Sequence, residues 1–258
     1  MIVEFPRSHV VLVCGGTAPL GAAIAAEMAK SGSGQIIIAG RDRGRGDAML
    51  AELRGTVPTA AFDYLPVDLS DHASTAAMFE QVKVRFGGLN SYVHCVPPGG
   101  ASGMLAVADL DRFRASLSSG LGSLAESCRL AAGLMAERGG CILTFSSDAG
   151  RIASPGHALI ATVQSGIMAL TRSLALELAR DQIRVNCISP TYVQDTPMFD
   201  RLMQSPAIAR AIDKAKKRAG LGLPSPADIA PLAAFLLSAS AAKITGQIVS
   251  VNGGLSAA

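Results

Sequence analysis

The sequence predicts an α/β fold, a doubly wound parallel sheet flanked by helices on both faces, and three observations carry that expectation. Short β-branched runs alternate with longer amphipathic stretches through most of the chain, as βαβ units feeding a parallel sheet do. A glycine-rich turn follows the first of those runs and opens a helical stretch. No repeat, low-complexity tract or linker breaks the alternation, so residues 1–258 are expected to form one domain.

In chain order, strands are expected at His9–Cys14, Gln35–Ala39, Ala61–Val67, Leu89–Cys95, Cys141–Ser146, Ile183–Ile188 and Gln247–Val251. Between them, apolar residues recur with helical period at Leu20–Lys30, Gly46–Leu53, His72–Phe86, Val107–Ala136 and His157–Arg180. After Pro190 the rhythm breaks into a loop, a helix around Met198–Arg218, a proline-rich turn at Pro224–Pro226 and a helix through Ala239. The stretch from about 190 to 226 is expected to cover the substrate. Sheets of this kind bind ligands at the carboxyl ends of their strands, near the point where strand order reverses. The loops after Cys14, Ala39, Val67, Cys95, Ser146 and Ile188 should therefore hold the chemistry.

Composition narrows the function classes. Hydrophobic residues make up 49% and charged residues 17%, the opposite of the balance that keeps a chain disordered. So little charge on a large apolar chain suggests helix faces hidden by partner subunits, and a homo-oligomer is expected. Lys plus Arg number 23 against 20 Asp plus Glu, without Trp or basic runs interleaved with aromatics, which argues against nucleic-acid binding. Mean hydropathy is +0.36, yet the apolar stretches read as interrupted before the ~18 residues a membrane span needs. Glu4, Pro6 and Arg7 ahead of a short apolar run make a poor signal segment. Five widely spaced cysteines without a CxxC pair fit a reducing cytoplasm and give no zinc pattern, so no metal is expected.

After the first strand, Cys14-Gly15-Gly16-Thr17-Ala18-Pro19-Leu20-Gly21 places small residues where backbone N–H groups and a helix N-terminus can meet a pyrophosphate. Gly15, Thr17, Leu20 and Gly21 are the candidate contacts, and a plain connecting turn is the alternative. Pro19 suits a first helical turn but lacks an N–H and fills space. Arg41 stands twenty residues past Gly21, where a ribose-reading residue is expected, and offers a guanidinium fork to a 2′-phosphate. That selects NADP(H) over NAD; a solvated surface arginine is the alternative. Asp68 and Leu69, after the third strand, are placed to touch adenine or to cap the next helix.

These residues resemble the short-chain dehydrogenase/reductase family over nearly the whole chain. The likeness is carried by Gly15 to Gly21, Gly40-Arg41, Val67-Asp68-Leu69, Phe145-Ser146-Ser147 with Gly150, Arg184-Val185-Asn186-Cys187-Ile188-Ser189-Pro190, Thr245-Gly246-Gln247 and Val251-Asn252-Gly253-Gly254. The resemblance implies a Rossmann-like fold, a nicotinamide cofactor and commonly a tetramer built through two long central helices. It also implies cofactor contacts from Cys95, Gln164, Pro190 and Val193.

The family's active-site pattern is Asn, Ser, Tyr and Lys. Ser147 fits the serine; counting on without a gap, the tyrosine and lysine positions hold Ile160 and Gln164, and the asparagine position holds Gly120. The family's Asn-Asn-Ala-Gly after the fourth strand reads His94-Cys95-Val96-Pro97, and its Pro-Gly after the sixth reads Pro190-Thr191. Losing a positioned general acid typically forfeits ~10²–10⁴ in rate. Gln164 keeps the ability to bond a ribose hydroxyl but brings no charge. His157 lies two helical turns before Gln164, on about the same face, and is a candidate acid. Its offset matches a tyrosine in the enoyl-reductase branch of the family, which Val93-His94-Cys95 and Ile142-Leu143-Thr144-Phe145-Ser146 also resemble. A polar helix-start residue is the alternative for His157, and a strand-end cap the alternative for Ser147.

Tyr192, in the loop expected over the nicotinamide, either packs on ligand or donates a proton. Lys214, Lys216, Lys217 and Arg218 read as a solvated helix end, with capture of a carrier phosphate as the sharper option. His94 reads as a satisfied residue beneath the cofactor. The expectation is an NADP(H)-dependent oxidoreductase reducing a carbonyl or activated double bond of a small apolar substrate, with Ser147 and His157 as catalytic residues. A non-redox isomerase, cyclase or lyase, or a catalytically silent NADP-binding subunit on the same fold, is the alternative.

Overall fold

A computed structural model describes residues 3–99 and 103–256. Seven strands form its sheet: β1 (Val10–Cys14), β2 (Gln35–Gly40), β3 (Ala61–Pro66), β4 (Ser91–His94), β5 (Gly140–Phe145), β6 (Ile183–Ser189) and β7 (Ile248–Ser250). All pair in parallel in the order β3-β2-β1-β4-β5-β6-β7, so strand order reverses between β1 and β4. Each strand lies within two or three residues of its sequence expectation at either end. The reason is visible in β1, where all five residues are buried: both faces are covered, so the strand reads as one apolar run.

Alternation along β1 sends Val11 and Val13 to one layer and Leu12 and Cys14 to the other. On the first face lie α1 (Pro19–Lys30), α2 (Arg43–Thr56) and α9 (Pro226–Leu237), contributing Ile24, Met28, Leu50, Ile229 and Ala233. On the second lie α3 (His72–Phe86), α5 (Ser123–Met135) and α6 (Ala158–Glu177), contributing Met78, Phe79, Leu124, Met135 and Ile167. Local chemistry sets the ends. Asp42 and Asp71 cap α2 and α3 by accepting from the Arg45 and Ala73 N–H groups, and Gly87 closes α3 at φ +73°.

Three helical expectations need correction. The expected helix Val107–Ala136 is broken into α4 (Leu110–Ala115), a π-helical stretch Ser116–Gly122 and α5. The Ser116, Ser119 and Ser123 hydroxyls donate to the carbonyls of Arg112, Ala115 and Ser119, the kind of back-bonding that disturbs a regular helix. The expected helix Met198–Arg218 is two, α7 (Pro197–Met203) and α8 (Pro206–Arg218), because Pro206 cannot continue α7. Finally, α6 is long and apolar enough to cross a membrane by length and composition, which the reading of interrupted stretches did not anticipate. Its Val163, Ile167, Met168, Thr171 and Ala175 are buried, the behaviour of a core helix.

All five cysteines are unpaired and buried. Burial pushes the Cys14, Cys95, Cys128 and Cys187 thiols up to about 12 and that of Cys141 to about 11.

Candidate active site

The turn after β1 is built by contact. Gly15 has φ +85°, and a Cβ there would lie 2.6 Å from the Cys95 carbonyl oxygen; one on Gly21 would lie 2.4 Å from that of Gly15. Only glycine therefore lets α1 start this close to the turn, at the point where strand order reverses. Pro19 is the first residue of α1, where its missing N–H is one the helix leaves unbonded anyway. Ala18 offers no side-chain cap and the first turn carries no acid. Among the described residues the N–H groups of Thr17, Leu20 and Gly21 have no protein partner, whereas that of Ala18 bonds the Gly15 carbonyl at 3.1 Å. A cradle that a Cβ would fill, lined with free donors, fits a dinucleotide pyrophosphate.

At the end of β2, a Cβ on Gly40 would lie 2.9 Å from Thr17 Oγ1, and Tyr64 donates to the Gly40 carbonyl at 2.7 Å. Arg41 follows, exposed, and Asp68 stands near it at the end of β3. The hydroxyl and N–H of Ser70 hold the Asp68 carboxyl below its ordinary value, with a smaller contribution from Arg41. Leu69 is buried, and α3 takes its cap from Asp71, not Asp68.

Across the reversal point, His94 ends β4, almost wholly buried, with its Nδ1 2.9 Å from the Tyr92 hydroxyl. Burial lowers its pKa to about 4, so the ring is neutral at pH 7. Cys95 follows and supplies the carbonyl that closes on Gly15.

Ser147 follows β5 in extended backbone and starts the 3-10 turn Asp148–Gly150; its hydroxyl receives only a long bond, 3.4 Å, from the Ala149 N–H. The turn abuts α6: a Cβ on Gly150 would lie 2.8 Å from the Gln164 carbonyl carbon, and Ser165 donates to the Gly150 carbonyl at 2.7 Å. Gln164 is buried, and the Ser146 hydroxyl lies 2.9 Å from its backbone oxygen and 3.0 Å from Oε1. Among the described residues its Nε2 has no protein partner. Ile160 stands one turn earlier on that face, and His157 is the residue just ahead of α6, with no side-chain cap bond.

Gly120 sits in the π-helical stretch, and a Cβ there would lie 2.3 Å from the Pro98 carbonyl oxygen. The loop after β4 thus fills the space an asparagine would need. Gly120→Asn is expected to cost about 2–3 kcal/mol through overpacking against backbone. Thermal unfolding should show a drop of roughly 5–10 °C; an unchanged midpoint would mean that Pro98 gives way freely.

After β6, Pro190 is buried and Val193 packs on the core face that holds α1 and α9. The side chain of Tyr192 points into an apolar cluster with Phe199, Leu202, Met203, Ile208 and Ile212, and burial raises its pKa. Lys214, Lys216, Lys217 and Arg218 are exposed along α8, Lys216 standing over the Phe199 ring at 5.4 Å. Among the described residues no group of three or more His, Cys, Asp or Glu could hold a metal ion.

One residue escaped the sequence reading. Asp148, next to Ser147, is buried and its two carboxylate oxygens receive bonds from six side chains. Its one local mark in the sequence is a carboxylate following Ser146-Ser147.

A parallel sheet of this order, with an open glycine-rich helix start where strand order reverses, defines the Rossmann-like class of α/β proteins. A family model described as enoyl-(acyl carrier protein) reductase matches residues 16–256. The chain is 30% identical to the L-fucose dehydrogenase of Mus musculus over 95% of this chain and 87% of that protein. Its fold matches a short-chain type dehydrogenase/reductase from Mycobacterium ulcerans with TM-score 0.89 at 25% identity, covering 98% of this chain and 91% of the other. Levodione reductase matches with the same TM-score and identity over 96% and 97% of the two chains. The chain belongs to the short-chain dehydrogenase/reductase family, whose members are oxidoreductases that bind a nicotinamide cofactor and act on small molecules.

Proposed function

We propose that the chain is an NADP(H)-dependent reductase of a carbonyl or activated double bond in a small apolar substrate. The observation that carries this is the open start of α1, with its free Thr17, Leu20 and Gly21 N–H groups, beside Gly40-Arg41 at the neighbouring strand end. Gly15, Thr17, Leu20 and Gly21 hold the pyrophosphate and Arg41 the 2′-phosphate. Asp68 and Leu69 flank the adenine, Cys95 and Gln164 the nicotinamide ribose, and Pro190 and Val193 the nicotinamide. The apolar cluster of Phe199, Leu202, Met203 and Ile212 within the 190–226 segment supports a substrate-covering role and an apolar ligand.

The bound nicotinamide supplies a hydride. The protein has two tasks in the reduction: to stabilise the oxyanion that develops on the substrate and to deliver a proton to it. Ser147, whose hydroxyl is barely engaged by its own turn, donates a hydrogen bond to that oxygen. His157, ahead of α6 and without a side-chain cap bond, is the proton donor, since Ile160 has no proton to give.

The chain is further inferred to assemble as a homo-oligomer, dimer or tetramer. Charged residues at 17% against 49% hydrophobic leave the chain short of surface suited to water, which favours a partner. Five unpaired thiols favour the cytoplasm.

Titration with NADPH, with NADH as control, tests the cofactor assignment. Arg41→Ala is expected to weaken NADPH binding about tenfold to a hundredfold and leave NADH unchanged, as loss of a charge-assisted bond requires. No binding of either dinucleotide would overturn the reading. One observation favours a silent dinucleotide-binding subunit, the Pro98 carbonyl filling the space at Gly120. Reductase activity gained only on Ile160→Tyr with Gln164→Lys would establish that second reading.

A further inference from the structure

Asp148 sits in the turn after β5 and gathers the segments that leave the neighbouring strands β6 and β7 just beyond their last sheet pairings. Its Oδ2 accepts from Thr191 Oγ1 at 2.7 Å, Asn252 Nδ2 at 2.6 Å and Ser256 Oγ at 2.7 Å. Its Oδ1 accepts longer bonds, each 3.3 Å, from Ser189, Ser250 and Arg151. Thr191 opens the segment after β6, and Asn252 to Ser256 form a strap after β7. That strap is gripped from above as well. Leu221 N–H donates to the Gly253 carbonyl at 3.0 Å, and a Cβ on Gly253, at φ +64°, would lie 1.6 Å from the Gly222 oxygen. Leu255 joins Tyr192, Phe199 and Ile212 in the apolar cluster of the 190–226 segment.

The turn bearing Ser147 does not need the Asp148 side chain to hold its shape. Gly150 N–H bonds the Ser147 carbonyl, Arg151 and Ile152 N–H bond the Asp148 carbonyl, and Ser165 bonds that of Gly150. The carboxylate therefore acts outward, on the covering segment and the strap. Six converging donors suit an ionised carboxylate, which accepts on both oxygens and donates nothing.

We propose that Asp148 is a positioning residue that clasps the base of the 190–226 segment and the 252–256 strap onto the Ser147 turn, so that the cover over the site closes against a fixed floor. Arg151 is the charged group against it; β6, β7 and the strap bring hydroxyls and one amide. Burial pushes the carboxyl up, but the bonds from Ser256, Thr191 and Asn252 and the Arg151 guanidinium outweigh it, and the net shift is downward. The clasp thus holds at neutral pH. This inference rests on the reading of residues 190–226 as the substrate cover.

Hydrogen exchange on the intact chain at pH 7 tests the clasp without any activity. In Asp148→Asn, which keeps the shape but swaps one acceptor for donors, amides of residues 191–203, 221–223 and 252–256 should exchange at least tenfold faster, with β1, β4 and β5 unchanged. In turnover, the same variant should raise KM more than it lowers kcat. Wild-type exchange in those segments, or acceleration spread evenly over the sheet, would overturn the clasp. If Asp148→Asn does not fold, Thr191→Val decides, removing one short bond without changing shape; it should accelerate the same amides about threefold, and no acceleration overturns the proposal. A chain that shows the exchange pattern yet binds neither NADPH nor NADH would keep the clasp and lose the reductase reading.

Discussion

Acidification from pH 7 to 4 should remove roughly 6 kcal/mol of folding stability, a large share of the ~5–15 kcal/mol typical of a globular chain. Two histidines are responsible. His9 packs against Phe5 with ring centroids 4.6 Å apart and meets Ser91 Oγ at 2.9 Å; His94 meets Tyr92. Burial lowers both pKa values to about 4, from 6.5 in the unfolded chain. The sign follows from proton counting. Well above pH 6.5 neither state binds these protons and the stability is fully present. As pH falls, the unfolded chain takes them up first, and stability drops by about 1.4 kcal/mol per pH unit for each ring until the folded form also protonates near pH 4. Urea unfolding at pH 7, 5.5 and 4 measures the loss, and His94→Asn should halve its slope. A midpoint flat across that range would mean that both rings accept protons in the fold.

Ser147→Ala should lower turnover by about 10²–10³-fold, the usual effect of deleting one oxyanion donor. Its hydroxyl has only the long Ala149 contact to lose, so circular dichroism and NADPH affinity should match the parent. Ser147→Ala with His157→Ala should abolish turnover, the second substitution removing the proton donor. Undiminished rates in the double variant would take the chemistry away from both residues and leave only the cofactor cradle of the reading.

The strands were legible because their signal is local and doubly redundant: Ile36, Ile37 and Ile38 are all fully buried, so no register could hide them. The dinucleotide turn was legible for a related reason, since Gly15 and Gly21 are needed where backbone meets backbone, and composition alone records that need. What sequence could not give was set by distant contact. Nothing near Gly120 says that Pro98 sits on it, and nothing near Asp148 says that Ser250, Asn252 and Ser256 return to it across a hundred residues of chain. The break in the expected Val107–Ala136 helix was missed differently: its serines satisfy helical periodicity while bonding the helix's own carbonyls.

The five buried cysteines carry a consequence for anyone handling the protein. With their thiols pushed up to about 11 or 12, almost none exists as thiolate at neutral pH, and alkylating reagents find neither a nucleophile nor a path. They are also spread through both layers of the sheet, from β1 and the end of β4 to α5, β5 and β6. The folded chain is thereby a clock of its own opening: each label acquired without denaturant records a moment when one part of the core was exposed, and which cysteine carries it says where.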